Sequence, residues 1–190
     1  MRLKGVLGIT GASGIIYGVR LAEELKRSGV EVHTIFTEAA KKTSEYELED
    51  AYQRVKKVSK KVYGEDDIDE APASGSSGFS FMAVAPCSIR TLGSVANGIA
   101  DNLLTRAAMV NLKERKKLLL VIRETPLSTI DIMNMLKVSI AGAIVMPASP
   151  GFYSRPESVE DMVNFIVGKA LDLLEIKHSL YKRWKADEQP

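Results

Sequence analysis

The chain has few of the residues on which metal and disulfide chemistry depend. Its 190 residues include one cysteine, Cys87, and two histidines, His33 and His178, which lie far apart in the sequence. One cysteine cannot supply a disulfide framework or a cysteine-rich zinc module. The two histidines do not have the spacing of a metal-binding pair. We therefore expect neither a structural disulfide nor a bound metal.

A strong excess of one charge and a long apolar run are also lacking. The chain has 26 Lys and Arg against 24 Asp and Glu, a net charge of +2, which argues against a protein that binds nucleic acid mainly by overall charge. No apolar run approaches the roughly 20 residues that cross a bilayer. The apolar stretch within MRLKGVLGITGAS is too short for a signal peptide. We expect a cytoplasmic protein with no nucleic-acid or membrane partner.

Strand-like and helix-like patterns alternate along the chain. Apolar or alternating runs predict strands over 4–10, 30–36, 81–86, 118–122 and 143–146. Helical patterns cover 15–27, 38–61 with a break, 88–100 and 102–112, and two more helices follow Ser128 and Ser158, which begin apparent capping boxes. Residues 63–80 form the longest predicted loop. This alternation predicts an α/β fold, a three-layer sandwich around a central parallel sheet.

A glycine-rich turn, GITGASG (8–14), follows the first predicted strand and precedes the first helix. Glycine lets a backbone approach a ligand closely, and a helix N-terminus offers N–H groups to an anion. Ligands of such sheets bind beyond the carboxyl ends of the strands, where the other Gly-, Ser-, Arg- and Pro-rich segments also fall. We expect one composite nucleotide site there, although a tight turn without a ligand remains an alternative.

A nicotinamide-dependent enzyme is one candidate for this turn. TGASG resembles the loop of short-chain dehydrogenases, which use a Tyr-x-x-x-Lys pair, and Tyr52 and Lys56 have that spacing. This pair, however, lies only about forty residues after the turn, much earlier than in that family. Thr37 also follows the second strand where such enzymes usually have an acidic residue. Both departures argue against a dehydrogenase.

Four later segments, taken with the glycine turn, point to another family. They are PASGSS (72–77), PCSIRT (86–91), LKER (112–115) with RETP (123–126), and PGFYSRP (150–156). In this order and spacing they resemble the UbiX-type flavin prenyltransferases, homo-oligomeric FMN-binding flavoproteins once called aromatic-acid decarboxylases. The resemblance runs from about Leu7 to Leu174. It implies one Rossmann-like (flavodoxin-like) FMN-binding domain over residues 1–174 and a tail over 175–190, with Trp184, that can cover the active site.

The resemblance also implies a reaction and its partners. Such an enzyme joins the dimethylallyl group of dimethylallyl phosphate to N5 and C6 of reduced FMN without a metal. The product, prenylated FMN, serves a UbiD-type decarboxylase. The family forms dodecamers built from trimers, so a homododecamer is implied here.

Site residues follow from the same resemblance, position by position. Ser13 and Glu47 match residues that handle protons near flavin N5, and Glu124 matches the acid that protonates or orients the leaving phosphate. The implied FMN-binding residues are Gly11, Ala12, Ser13, Thr37, Ser88, Ile89, Arg90, Thr91 and Arg123. The implied dimethylallyl phosphate-binding residues are Ser74, Arg106, Lys113, Arg123, Tyr153 and Lys169, whose cations and hydroxyls suit a phosphate. Because these residues come from distant segments, some are expected to reach the site from neighbouring subunits.

Simpler roles remain open for several of these residues. Ser88 and Thr91 could only cap a helix, Glu47 could belong to a solvated face, and Lys113 could belong to a solvated charge run. Cys87 is expected to be a buried thiol rather than a nucleophile.

Two other functions also remain open. One is an FMN-dependent cysteine decarboxylase of the same flavoprotein group, although that branch has PASANT where this chain has PASGSS, and a catalytic histidine that neither His33 nor His178 matches. The other is a non-catalytic FMN-binding subunit, which would need few of the substrate residues.

Overall fold

A six-stranded sheet runs through the centre of the chain. The computed structural model describes residues 3–184, and its strands are β1 (Lys4–Ile9), β2 (Glu31–Phe36), β3 (Lys61–Tyr63), β4 (Phe81–Cys87), β5 (Lys117–Ile122) and β6 (Ile144–Pro147). The order across the sheet is β3-β2-β1-β4-β5-β6, and every neighbouring pair is parallel. The predicted three-layer α/β fold with a central parallel sheet is confirmed.

Seven α-helices among the described residues cover the sheet. They are α1 (Ile15–Arg27), α2 (Glu38–Glu47), α3 (Ala51–Val58), α4 (Ile89–Ala96), α5 (Leu103–Lys113), α6 (Thr129–Ile140) and α7 (Val159–Leu173). Ser128 and Ser158 begin α6 and α7 with the capping boxes that the sequence indicates. None of the helices within residues 3–184 is long and apolar enough to cross a membrane.

Both faces of the sheet are buried. Leu7 packs in one apolar cluster with residues of α1 and α7, whereas its neighbour Val6 packs in a second cluster with residues of α4 and α5. Successive side chains of a strand point to opposite faces, so a strand covered on both sides is apolar throughout. This explains runs such as LLLVI in β5.

The chain changes direction across the sheet at β1. From β1 it proceeds to β2 on one side, and β4 later pairs with the opposite side of β1. The crevice outside the carboxyl ends of β1 and β4 is therefore the point at which a ligand is expected to bind in such a sheet.

Two boundaries differ from the sequence prediction. The segment 38–61 is expected to be helical with a break, but its last residue, Lys61, begins the strand β3. This strand has three residues and pairs only with β2. Three residues are too few to show a strand period. The helix expected over 88–100 ends at Ala96, because Gly98 adopts a left-handed backbone (φ 71°) that stops it.

Candidate functional site

A buried threonine joins the ends of β1 and β4. Thr10, which is 2% exposed, donates a hydrogen bond from Oγ1 to the Pro86 carbonyl (2.8 Å) and accepts one from the Ser88 N–H (2.9 Å). These bonds hold the glycine turn against the segment that begins α4. Sequence reasoning missed Thr10, although a threonine directly after a buried strand at the expected ligand crevice is a usable signal.

A cleft lined mostly by polar residues opens beside this junction, with a cavity volume of about 40 Å³. Five of the predicted FMN-binding residues line it: Gly11, Thr37, Ser88, Arg90 and Thr91. The structure therefore brings together residues from the ends of β1, β2 and β4. The lining also includes Glu65, Ser94, Asp101 and Asn102, which the sequence did not indicate.

Two helices begin at the cleft. Thr37 caps α2 by accepting from the Ala40 N–H (3.1 Å), and Ser88 caps α4 by accepting from the Thr91 N–H (3.3 Å). The simpler capping role of Ser88 is therefore real. The first turn of α4 borders the cleft, where a helix N-terminus favours an anion.

The residues of the cleft suit FMN by their chemistry. Hydroxyls, the first turn of α4 and the Arg90 guanidinium are donors for a phosphate and a polyol chain. Gly11 allows the turn to pack closely against α2, since a Cβ at position 11 would lie 2.6 Å from Ala39 Cβ. The Glu65 carboxylate accepts from the Glu38 N–H (3.0 Å) and from Asn102 Nδ2 (3.3 Å). The start of α2 is therefore already bound by the Glu65 carboxylate, so the start of α4 is the better place for the phosphate.

Glu47 is exposed at the end of α2, but its carboxylate is bound to the glycine turn. Its Oε2 accepts hydrogen bonds from the backbone N–H groups of Gly14 (2.8 Å) and Ile15 (2.9 Å), at the start of α1. Gly14 is in the left-handed region (φ 91°) that such a turn requires. The amides that the glycine turn is expected to offer to an anion are thus bound by Glu47. Ser13 directly precedes Gly14 in this turn.

Arg123 extends from the end of β5 to the same turn. Its Nε donates to the Ser13 carbonyl (3.2 Å), and its backbone N–H donates to the Cys87 carbonyl (3.4 Å). Tyr17 of α1 lies beside it: burial raises the pKa of Tyr17, and the Arg123 guanidinium partly opposes that rise. Sequence reasoning missed Tyr17. Glu124 follows at the surface, where its Oε1 accepts from the Thr125 N–H (3.0 Å).

Tyr153, Lys169 and Trp184 form a second group, around α7. The Tyr153 and Trp184 rings meet edge to face with centroids 5.3 Å apart, and both residues are exposed. Lys169 Nζ lies 4.0 Å from Asp172 Oδ2. The described part of the tail therefore folds back to Tyr153, and residues 185–190 of the predicted tail lie outside the described residues.

Ser74 and Lys113 lie elsewhere in the chain. Helix α5 begins beside the cleft, where the Leu103 N–H donates to the Glu65 carbonyl (2.8 Å), and it ends just before the amino end of β5. The turn that contains Ser74 is held at that far end, since Lys116 Nζ donates to the Gly75 carbonyl (3.1 Å). Within one chain, Ser74 and Lys113 therefore lie at the opposite end of α5 from the cleft. Arg106 is exposed, one turn into the same helix.

Cys87 is fully buried, and burial raises the pKa of its thiol to about 12. A thiol with this pKa is inert at neutral pH, which agrees with the predicted non-catalytic role. Among residues 3–184, no group of three or more His, Cys, Asp or Glu side chains is arranged to hold a metal ion.

Comparison with known proteins identifies relatives. The Flavoprotein family model matches residues 2–171. The flavin prenyltransferase UbiX of Saccharolobus solfataricus is 48% identical over 183 residues, which are 95% of this chain and 91% of that protein.

Solved structures give the same result. The crystal structure of AnUbiX (PadA1) in complex with FMN and dimethylallyl pyrophosphate is 38% identical, with a TM-score of 0.94 over 97% of this chain and 98% of that one. A dodecameric FMN-dependent UbiX-like decarboxylase from Escherichia coli O157:H7 is 39% identical, with a TM-score of 0.93 over 96% and 99%. The peptidyl-cysteine decarboxylase EpiD, at 18% identity and a TM-score of 0.66 over 92% and 99%, shares the fold alone. The chain therefore belongs to the Flavoprotein family and, within it, to the UbiX flavin prenyltransferases.

Proposed function

We propose that the protein joins the dimethylallyl group of dimethylallyl phosphate to N5 and C6 of reduced FMN. The observation that carries this proposal is that Glu47 and Arg123 both bind the backbone of the glycine turn, which contains Ser13 and borders the hydroxyl-lined cleft. A carboxylate, a hydroxyl and a guanidinium at one edge of a flavin site supply proton transfer and charge stabilisation together. A non-catalytic FMN-binding subunit would not require this group.

In this proposal the residues around the cleft hold FMN. The first turn of α4, from Ser88 to Thr91, binds the phosphate, and Thr37 donates from the start of α2. Gly11, Ala12 and Ser13 border the ring with Arg123. Reduced FMN, when bound, supplies the nucleophilic N5 and C6 atoms.

Glu47 and Ser13 are proposed to move the protons. Two amide donors fix the Glu47 carboxylate at the start of α1, so its position costs little reorganisation during the reaction. Ser13 is in the same turn, and its hydroxyl can relay a proton to and from that carboxylate. This arrangement is suited to accept the proton that N5 loses.

Cations are proposed to bind the phosphate of the second substrate. As the bond between the dimethylallyl carbon and the phosphate oxygen breaks, the electron pair leaves with the phosphate. Arg123, Lys169 and the Tyr153 hydroxyl stabilise this charge, and Glu124 supplies or orients the proton that the phosphate receives. Ser74, Arg106 and Lys113 would complete the site from neighbouring subunits.

The complete enzyme is proposed to be a cytoplasmic homo-oligomer, a dodecamer like the UbiX-like decarboxylase from Escherichia coli O157:H7. Residues 1–174 would form its FMN-binding domain, and the tail 175–190 would cover the active site. Exposed apolar residues of α6, which are Ile130 (72%), Leu136 (53%) and Ile140 (78%), support burial against another subunit. The product would be transferred to a UbiD-type decarboxylase.

This transfer provides a functional test. The protein is incubated anaerobically with reduced FMN and dimethylallyl phosphate, and an apo UbiD-type decarboxylase is then added. We expect decarboxylase activity that depends on all three components. Folded, FMN-binding protein that never activates the decarboxylase would contradict the proposal.

A further inference from the structure

The last described segment folds back along α7. Residues 175–184, the C-terminal strap, follow a reversal at Glu175, whose backbone is left-handed (φ 61°). The His178 side chain is 2% exposed. A Cβ on Gly168 of α7 would lie 2.5 Å from Tyr181 Cδ1 and 2.7 Å from His178 Cε1. The strap therefore packs directly on the backbone of α7, a contact that only glycine at position 168 permits.

One carboxylate anchors this strap. Asp172 of α7 accepts hydrogen bonds from His178 Nε2 (3.0 Å), the Tyr181 hydroxyl (2.5 Å) and the Arg183 guanidinium (2.6 Å). The Leu180 N–H donates to His178 Nδ1 (3.1 Å), so the network assigns the histidine proton to Nε2, where it faces Asp172. Burial would raise the pKa of Asp172, but these three bonds outweigh it and lower that pKa. Asp172 is therefore ionised at neutral pH.

A series of side-chain contacts connects Asp172 to the second group of site residues, Tyr153, Lys169 and Trp184. The Tyr181 ring packs against Phe165 (centroids 5.0 Å apart), and Phe165 packs against Tyr153 (5.9 Å). Tyr153 in turn meets Trp184, at the end of the described strap. Lys169, on the same helix as Asp172, lies 4.0 Å from its Oδ2. One carboxylate thus contacts both the strap and a cation assigned to phosphate binding.

We propose that Asp172 is a positioning residue for the second substrate. Its carboxylate holds Lys169 and the strap so that Lys169, Tyr153 and Trp184 form one wall of the dimethylallyl phosphate site. This inference rests on the proposed function. Because Asp172 acts through these residues and lies away from the α4 end of the cleft, its loss affects binding of dimethylallyl phosphate and leaves binding of FMN unchanged.

The test uses Asp172→Asn, which keeps the shape of the side chain and removes its charge. Trp184 is the only tryptophan of the chain, so its emission reports the strap alone. We expect a red-shifted emission, stronger quenching by acrylamide, and a KM for dimethylallyl phosphate raised about tenfold, as loss of charge-assisted bonds predicts. The Kd for FMN should stay within about twofold of the original value. A change of that size is smaller than the loss of one hydrogen bond to FMN would cause.

Glu175→Gln is the matched control. Glu175 belongs to the same strap but is 81% exposed in its side chain and pairs with Lys117 (2.7 Å) rather than with Asp172. The Glu175→Gln protein should have the same emission spectrum and the same KM for dimethylallyl phosphate as the unaltered protein. Tyr181→Phe, which keeps the ring and removes one bond to Asp172, should raise the KM by a smaller factor.

The outcomes separate this inference from the proposed function. If the unaltered protein is active and folded Asp172→Asn keeps the same emission and KM, the inference is wrong. If Asp172→Asn does not fold, Tyr181→Phe decides by the same two measurements. If the unaltered protein forms no flavin adduct, the proposed function fails and the substrate role of Asp172 fails with it.

Discussion

Individual polar side chains connect the loops of the site to each other. Thr10 binds both the carbonyl of Pro86 and the amide of Ser88, and Glu47 binds two amides of the glycine turn. Each residue lies far in sequence from its partners, so each bond restrains two loops at once. Thr10 is buried, and a buried polar group left without a partner costs more than the bond itself contributes. These residues should therefore affect both stability and ligand binding.

Thr10→Val tests this role, because valine has the same shape and makes neither hydrogen bond. We expect the free energy of unfolding to fall by about 1–3 kcal/mol, and FMN to bind more weakly because the Ser88 segment loses its restraint. Urea unfolding and FMN titration measure the two effects. Thr34→Val is the control: Thr34 is also buried but bonds to Ser59 Oγ (2.7 Å) within the β2–β3 region. Thr34→Val should lose some stability and keep its FMN affinity. Weaker FMN binding by Thr34→Val would contradict a specific role of Thr10 in FMN binding.

Glu47→Gln separates capping from proton transfer. Glutamine can still accept a bond at the start of α1, so the stability loss should be about 0.3–1 kcal/mol, the value of a charge at a helix N-terminus. The rate of flavin adduct formation should fall by about 100-fold or more if the carboxylate moves a proton. Thermal unfolding and single-turnover kinetics measure these effects. Glu45→Gln on the same helix should change neither, and an active Glu47→Gln enzyme would leave Glu47 as a cap only.

At the scale of elements, the helix starts define the cleft. The sequence could predict the caps of α6 and α7, because Ser followed by Asp three residues later is a local pattern. It could also predict the parallel sheet from the alternation of apolar strands and helices. It could not predict β3, which is too short to show a period, or the roles of Thr10, Tyr17 and Glu65, because their partners are distant in sequence. Glu47 was found only through the family resemblance.

Ser88→Ala tests whether the start of α4 binds the FMN phosphate. We expect a loss of about 1 kcal/mol in the free energy of unfolding from the missing cap, and an FMN Kd raised about tenfold from one lost bond to a charged group. Ser158→Ala is the matched control, because Ser158 caps α7 in the same way, by accepting from the Asp161 N–H (3.1 Å). It should lose similar stability and bind FMN normally. Equal FMN affinity in both variants would remove Ser88 from the phosphate site.

At the scale of the whole molecule, one chain holds only part of the proposed site. Arg123, Glu47 and the cleft lie at the carboxyl edge of the sheet, whereas Lys113 and Ser74 lie at the far end of α5. The exposed apolar side chains of α6 indicate a surface covered by another subunit. An active site shared between subunits accounts for both observations.

Mixing two inactive variants tests the shared site. Lys113→Ala and Glu124→Gln should each have little activity alone. If Lys113 acts in the site of a neighbouring subunit, mixed oligomers formed by joint refolding contain some sites with both original residues, so part of the activity returns. Adduct formation by the mixture is the measurement. Two variants that remain inactive after verified mixing would place Lys113 and Glu124 in the site of the same chain. A Lys113→Ala protein that keeps full activity alone would place Lys113 outside the site.

Mass spectrometry of the bound flavin shows whether this protein prenylates FMN. The protein is incubated anaerobically with reduced FMN and dimethylallyl phosphate, with dimethylallyl diphosphate in a parallel sample, and the bound flavin is analysed. We expect a flavin whose mass has increased by one C5H8 unit, formed without added metal and absent when the allylic phosphate is omitted. Unchanged FMN recovered from folded, FMN-bound protein would contradict this expectation.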